Sequence, residues 1–147
     1  MTLKVPLCHK EYVLARPRPH RSVKPLILCI EDNERYLWLR KKVLERNGFD
    51  VVCATTGDGA LEILAEAPVC LTLSDHMLRG TTGVQLAKRM KAVKPEVPVV
   101  IYSGRVPETM QNVDAFINKD EPTEEFVKLL RDLVRRYCGL GGRARAT

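Results

Sequence analysis

The sequence predicts an α/β protein, a doubly wound five-stranded parallel sheet with helices on both faces. Three observations predict it. Short apolar runs recur five times, each closed by turn residues or acids, as buried interior strands are. Segments with helical spacing of apolar residues separate them, and strand–helix alternation implies a mostly parallel sheet. Right-handed crossovers then leave only a few doubly wound topologies. At 147 residues, one domain with a substantial core is the natural size.

The elements follow in order. Leu26 to Ile30 is the first strand and ends at Glu31-Asp32. Asn33 can cap a helix from about Glu34 to Asn47, which Gly48 stops. On it, Tyr36, Leu39 or Arg40, Val43 and Leu44 mark the expected buried stripe, with Trp38 to the side or outside. Phe49 to Cys53 is the second strand. Thr56 to Gly59 reads as a turn before a helix from Ala60 to about Glu66, stopped by Pro68. Val69 to Ser74 is the third strand, ending on Asp75, and a Gly-bearing loop runs to Gly83. Val84 to Val93 is helical, with Leu86, Met90 and Val93 on one side. Val97 to Tyr102 is the fourth strand, and residues 105–113 are irregular or a short helix. Ala115 to Ile117 is the fifth strand. Pro122 and Thr123 open a last helix to about Tyr137, with Phe126, Leu129, Leu130 and Leu133 inward and two acids in its first turn.

The charge of +6 is unevenly placed. Residues 1–24 hold six Lys/Arg against Glu11 alone, and residues 138–147 hold Arg143 and Arg145, which leaves 16 basic and 17 acidic groups between. The body is near neutral and the tails are basic, which is not the pattern of a basic DNA-binding domain. Residues 1–23, with Arg16-Pro17-Arg18-Pro19, read as a flexible basic arm. Residues 24–138 form the domain, and 139–147 a flexible tail. No apolar run is long enough to span a bilayer. No cleavable leader opens the chain, so a cytoplasmic protein is expected. The five cysteines include no CxxC pair; reduced thiols, and no zinc site, are expected.

Chemistry gathers at the strand ends. Glu31 and Asp32 follow the first strand, Asp75 the third, Ser103 the fourth and Lys119 the fifth. Parallel strands lie about 4.8 Å apart, so these groups fit one pocket outside the carboxyl ends of the strands. Crowded carboxylates repel and favour a hard divalent cation, and Mg2+ suits a site that keeps positions open for phosphate oxygens. A carboxylate can attack a phosphoryl group to give an acyl phosphate, while metal, lysine and hydroxyl neutralise its oxygens.

With these residues in place, the stretch from about Lys24 to Tyr137 resembles a response-regulator receiver domain of two-component signalling. The match comprises Glu31-Asp32, Asp75 with Gly83 eight residues on, Ser103-Gly104, and Phe116-Ile117-Asn118-Lys119. The resemblance implies strand order 2-1-3-4-5 and Mg2+-dependent phosphorylation of Asp75 by a histidine kinase or phosphotransfer protein. It implies that Glu31, Asp32, Asp75 and the backbone carbonyl of Met77 hold the metal. Ser103 and Lys119 would bind the phosphoryl group, and Phe116 would turn inward with Ser103 as the switch. The chain departs from the family where Arg79 and Asp120 stand in place of usual prolines. The 16-residue interval from Ser103 to Lys119 is also short, which implies a fourth helix that is short or absent and an altered readout surface.

Further readings follow from position. Trp38 is a candidate docking residue for the phosphodonor. Met77 and Arg105 flank the pocket mouth and are candidates to tune acyl-phosphate lifetime. His76 points away from its neighbour and is not expected to be catalytic. The chain is read as a stand-alone receiver that turns over no separate substrate and acts on a downstream protein. One alternative is a phosphorylation-independent adaptor of the same fold. Another, a flavin or nucleotide binder, conflicts with Glu31-Asp32 standing where a Gly-rich loop would be.

Overall fold

In a computed structural model the described residues are 23–139. The basic arm, but for its last residue, and the tail beyond Gly139 lie outside them. Strands β1 (Leu26–Ile30), β2 (Asp50–Ala54) and β3 (Leu71–Ser74) alternate with helices α1 (Glu34–Arg46) and α2 (Gly57–Glu66). A hairpin of β4 (Met77–Leu78) and β5 (Thr81–Thr82) follows, then α3 (Gly83–Val93), β6 (Val99–Ser103), β7 (Ala115–Asn118) and α4 (Thr123–Cys138). The main sheet is parallel throughout, in order β2-β1-β3-β6-β7. This is the expected doubly wound arrangement.

β1 is buried along its whole length, because both its faces are covered. Leu28 and Ile30 pack with Ile63, Leu86 and Met90 under α2 and α3. Ile27 and Cys29 pack with Leu37, Leu44, Phe126 and Leu130 under α1 and α4. Side-chain alternation along the strand sends neighbours to opposite layers. A strand apolar on both faces loses the polar alternation of a half-exposed one, which is why the apolar run was continuous.

The caps fix the helix starts. Asn33 Oδ1 accepts the Tyr36 N–H at 3.1 Å, as expected. Thr56 Oγ1 accepts the Gly59 N–H at 3.0 Å, so the predicted turn is the first turn of α2. Thr82 and Gln85 form a reciprocal capping box on α3.

Several expectations are corrected. On α1 the buried residues are Leu37 and Leu44, while Tyr36 and Leu39 are about half exposed. The stripe is rotated by one position, and the Tyr36–Leu39–Val43 side borders a groove instead of the core. On α4, Val127 and Val134 are buried, while Leu129 and Leu133 are only partly so. Val93 is exposed at the end of α3. The β4–β5 hairpin lies within the predicted loop, since two-residue strands leave no periodicity. Residues 104–114 contain no helix, which is the irregular alternative of the sequence reading. They are pinned instead by Asp114, whose carboxylate accepts from the Val99 N–H at 2.8 Å and pairs with Lys91 at 2.7 Å. Cys70 and Cys138 form a disulfide with Cα atoms 6.0 Å apart, which corrects the expectation of reduced thiols for this pair. Cys29 and Cys53 face each other across β1 and β2. No helix among the described residues is long and apolar enough to cross a membrane.

Candidate functional site

Backbone hydrogen bonds at the carboxyl edge of the sheet assemble the site. The Asp75 N–H donates to Ile30 O at 3.0 Å, setting Asp75 beside Glu31. The Lys119 N–H donates to Ser103 O at 2.9 Å, setting those two side by side. Ser103 is also in register with Asn118. Parallel pairing thus carries residues remote in sequence to one edge.

The side chains then converge. Lys119 Nζ lies 3.1 Å from Asp75 Oδ1 and 3.8 Å from Glu31 Oε1. The Asp75 carboxylate also accepts the His76 N–H at 3.0 Å. Glu31 is 2% exposed. Its Oε2 accepts the Asn33 N–H at 3.1 Å, and its Oε1 faces Arg40 Nη2 at 3.4 Å. Burial raises the Glu31 carboxyl above its ordinary pKa; the Asn33 hydrogen bond opposes this, Asp75 adds to it, and Arg40 and Lys119 oppose it. Asp32 pairs with the exposed Arg79 at 3.9 Å. Asp75, Glu31 and Lys119 therefore form one cluster, while Asp32, next to Glu31 in the chain, pairs with Arg79.

Ser103 is buried at the end of β6, and its Oγ accepts the Arg105 N–H at 3.3 Å. Phe116 is partly buried and packs against the core under α2 and α3. Met77 is 66% exposed on β4. Arg105 is exposed. Trp38 is 49% exposed, with Lys42 Nζ 5.3 Å from its ring centroid. His76 is partly buried and touches Asp75 through its backbone N–H.

Gly83 has a physical reason to be glycine. A Cβ there would stand 2.6 Å from Asp75 O and 2.7 Å from Ile101 Cδ1. Arg79 occupies a tight turn whose positive φ is supplied by Gly80, at 78°. At Asp120 the chain replaces one constraint with another. Asn118 Oδ1 accepts the Asp120 N–H at 2.7 Å, a bond no proline could give, and the turn it closes holds Lys119.

Two residues of the site were not anticipated there. The Arg40 guanidinium lies 4.9 Å from the Tyr102 ring centroid, and Tyr102 stacks on Phe126 with centroids 4.5 Å apart. Tyr36, Leu39, Arg40, Tyr102, Lys119 and Phe126 line a groove of about 460 Å³ between α1 and α4. Tyr102 reads as an ordinary strand residue. The only signal for Arg40 was a charge at a stripe position.

The carboxylates of Glu31, Asp32 and Asp75 are the hard oxygen donors that Mg2+ takes. Among the described residues, no three His, Cys, Asp or Glu side chains are gathered into a ready-made cage. Glu31 and Asp75, both facing Lys119 Nζ, are the donors of this kind that the sheet edge brings together.

A five-stranded parallel sheet in order β2-β1-β3-β6-β7, with acids at two strand ends and a lysine at a third, sets the class of the protein as a doubly wound α/β domain. Residues 27–131 match the response regulator receiver domain family, and the chain belongs to it. It is 30% identical over 126 residues to the transcriptional regulatory protein AruR of Pseudomonas aeruginosa, covering 78% of this chain and 51% of that one. It is 27% identical over 116 residues to the transcriptional regulatory protein YkoG of Bacillus subtilis, covering 75% and 51%. The chain thus spans about half the length of these relatives. Its fold is shared with the response regulator TrrA of Thermotoga maritima, solved in complex with Mg2+ and BeF, at TM-score 0.69 and 18% identity, covering 74% of this chain and 98% of that one.

Proposed function

We propose that the domain accepts a phosphoryl group on Asp75 from a histidine kinase or phosphotransfer protein, in a Mg2+-dependent reaction, and thereby switches a protein-binding surface. The observation that carries this is Lys119 Nζ within 3.1 Å of Asp75 and 3.8 Å of the buried Glu31. An Asp75 carboxylate oxygen attacks phosphorus, a P–O bond forms, and the P–N bond of a phosphohistidine protonated on its other ring nitrogen breaks, so that the imidazole leaves neutral and keeps that proton. Lys119 holds Asp75 in place and neutralises phosphoryl charge, with the Ser103 hydroxyl as the further donor. Glu31 and Asp32, with Asp75 and the Met77 carbonyl, would hold Mg2+, which supplies charge neutralisation at the transferring oxygens. Phosphate drawing Ser103 towards it would free space for Phe116, biasing a two-state surface on β6, β7 and α4. That surface lacks a helix across residues 104–114, so the target is read through a different face from that of a receiver with a helix there.

Trp38, half exposed on α1, is read as a contact for the phosphodonor, and Met77 and Arg105 as residues that set the lifetime of the acyl phosphate. The domain turns over no separate substrate in this reading, and it works in the cytoplasm.

The test is intact-mass measurement after incubation with Mg2+ and acetyl phosphate. A gain of one phosphate, absent in Asp75→Asn and greatly slowed in Lys119→Ala, is expected. With a kinase as donor, Trp38→Ala slows transfer while leaving acetyl phosphate labelling intact. No labelling of the wild type would leave the alternative, an adaptor that signals without phosphate.

A further inference from the structure

Of the three cations that face the site acids, Arg40 is the most buried. Its side chain is 9% exposed and that of Glu31 3%, against 31% for Lys119 and 84% for Arg79. Nη2 lies 3.4 Å from Glu31 Oε1, the guanidinium lies over the Tyr102 ring, and Nη1 is buried with no hydrogen-bond partner. A guanidinium this dry is stable only beside a counter-charge, and Glu31 is that counter-charge. The second Glu31 oxygen already accepts from the Asn33 N–H. Both oxygens of the carboxylate are therefore engaged before any ion arrives. Each acid of the pocket is matched by a cation of the chain: Glu31 by Arg40 and Lys119, Asp75 by Lys119, Asp32 by Arg79.

We propose that Arg40 is a resident counter-cation that holds Glu31 in the metal-free protein and competes with Mg2+ for it, so that this residue sets the metal affinity of the pocket. The inference deepens the reading of the Asp75 pocket as a metal-dependent phosphoacceptor, and rests on it. Arg40 is a positioning residue and does not touch the transferring group. Burial decides which cation matters. Arg79 is exposed, so solvent and salt screen it. The Arg40–Glu31 pair is dry, so its attraction is strong and a metal ion must overcome it. When Glu31 turns to an ion, Arg40 is left over the Tyr102 ring, one residue before Ser103 and stacked on Phe126 of α4. Metal occupancy is thereby coupled to the groove between α1 and α4.

Calorimetric titration of the full chain with MgCl2 at pH 8 tests this. Arg40→Met, of similar length and uncharged, is expected to bind Mg2+ about tenfold more tightly than wild type. Arg40→Lys keeps the charge and stays close to wild type, and Arg79→Ala changes affinity by about twofold at most. A merely structural role for Arg40 would not be rescued by lysine in this pattern. Far-UV circular dichroism checks the fold of each variant, and Arg40→Gln takes the place of Arg40→Met if that variant does not fold. Equal or weaker Mg2+ binding in the uncharged variant overturns the proposal while leaving the pocket reading intact. Absence of Mg2+ binding in every variant overturns both.

Discussion

Glu31 is where opposing physical terms meet. The fold buries it almost completely, then supplies a backbone N–H and two cations to offset the cost. Burial prevails, and the carboxyl is held above its ordinary value of 4.5. The sign of the consequence follows. Across the interval between 4.5 and the raised value, the folded chain binds a proton that the unfolded chain has lost. The stability this contributes is fully present below the ordinary pKa and is lost as pH rises through the raised one. Urea unfolding of wild type and Glu31→Gln between pH 4 and pH 8 isolates it: relative to the variant, wild type loses stability as pH rises through that window and then levels off. A difference independent of pH contradicts it. At this scale the acids were legible, because a carboxylate closing an apolar strand in a parallel sheet has few other places to go. Arg40 was not, because an arginine on a helix stripe is equally a solvated side chain.

At the scale of elements, α3 is docked by what Gly83 lacks. Its N–H donates to His76 O at 2.6 Å, and its Cα faces the Asp75 carbonyl. An added methyl would meet backbone and a packed isoleucine, neither of which yields cheaply. Gly83→Ala is therefore expected to cost about 1–3 kcal/mol in thermal or urea unfolding, and to slow acetyl phosphate labelling by displacing the Asp75 backbone. Unchanged stability and labelling would show that the helix can retreat freely. The segment 104–114 behaves differently. With no helix to satisfy its backbone, it relies on Asp114, which bridges the Val99 N–H and Lys91. Its short length was readable from the interval between Ser103 and Lys119. Its irregular path was not, since anchoring by one carboxylate to a strand and a helix is invisible to local periodicity. The turn at Lys119 makes the same point, because Asn118 secures it through the Asp120 N–H where the family resemblance led one to expect a proline.

For the whole molecule, the two layers of helices close over a sheet whose central strand is buried on both faces. The Cys70–Cys138 disulfide ties the start of β3 to the end of α4 across 68 residues of sequence. A cross-link over so long a loop restricts the unfolded chain, and reduction or Cys70→Ser is expected to lower stability by about 2–4 kcal/mol in urea unfolding. Equal stability with and without reductant would show that the bridge contributes nothing. The doubly wound class and the set of acids, hydroxyl and lysine at the strand ends were determined by the sequence itself, because apolar runs, turn residues and crossover handedness are local or nearly local constraints; the strand order came only with the family resemblance. Which side of α1 faces the core, how Asp120 takes a proline's place, which cysteines pair, and that Arg40 stands over Tyr102 against Glu31 were decided only by tertiary structure. Those outcomes depend on distances between segments far apart in the chain, and on burial that no single segment encodes.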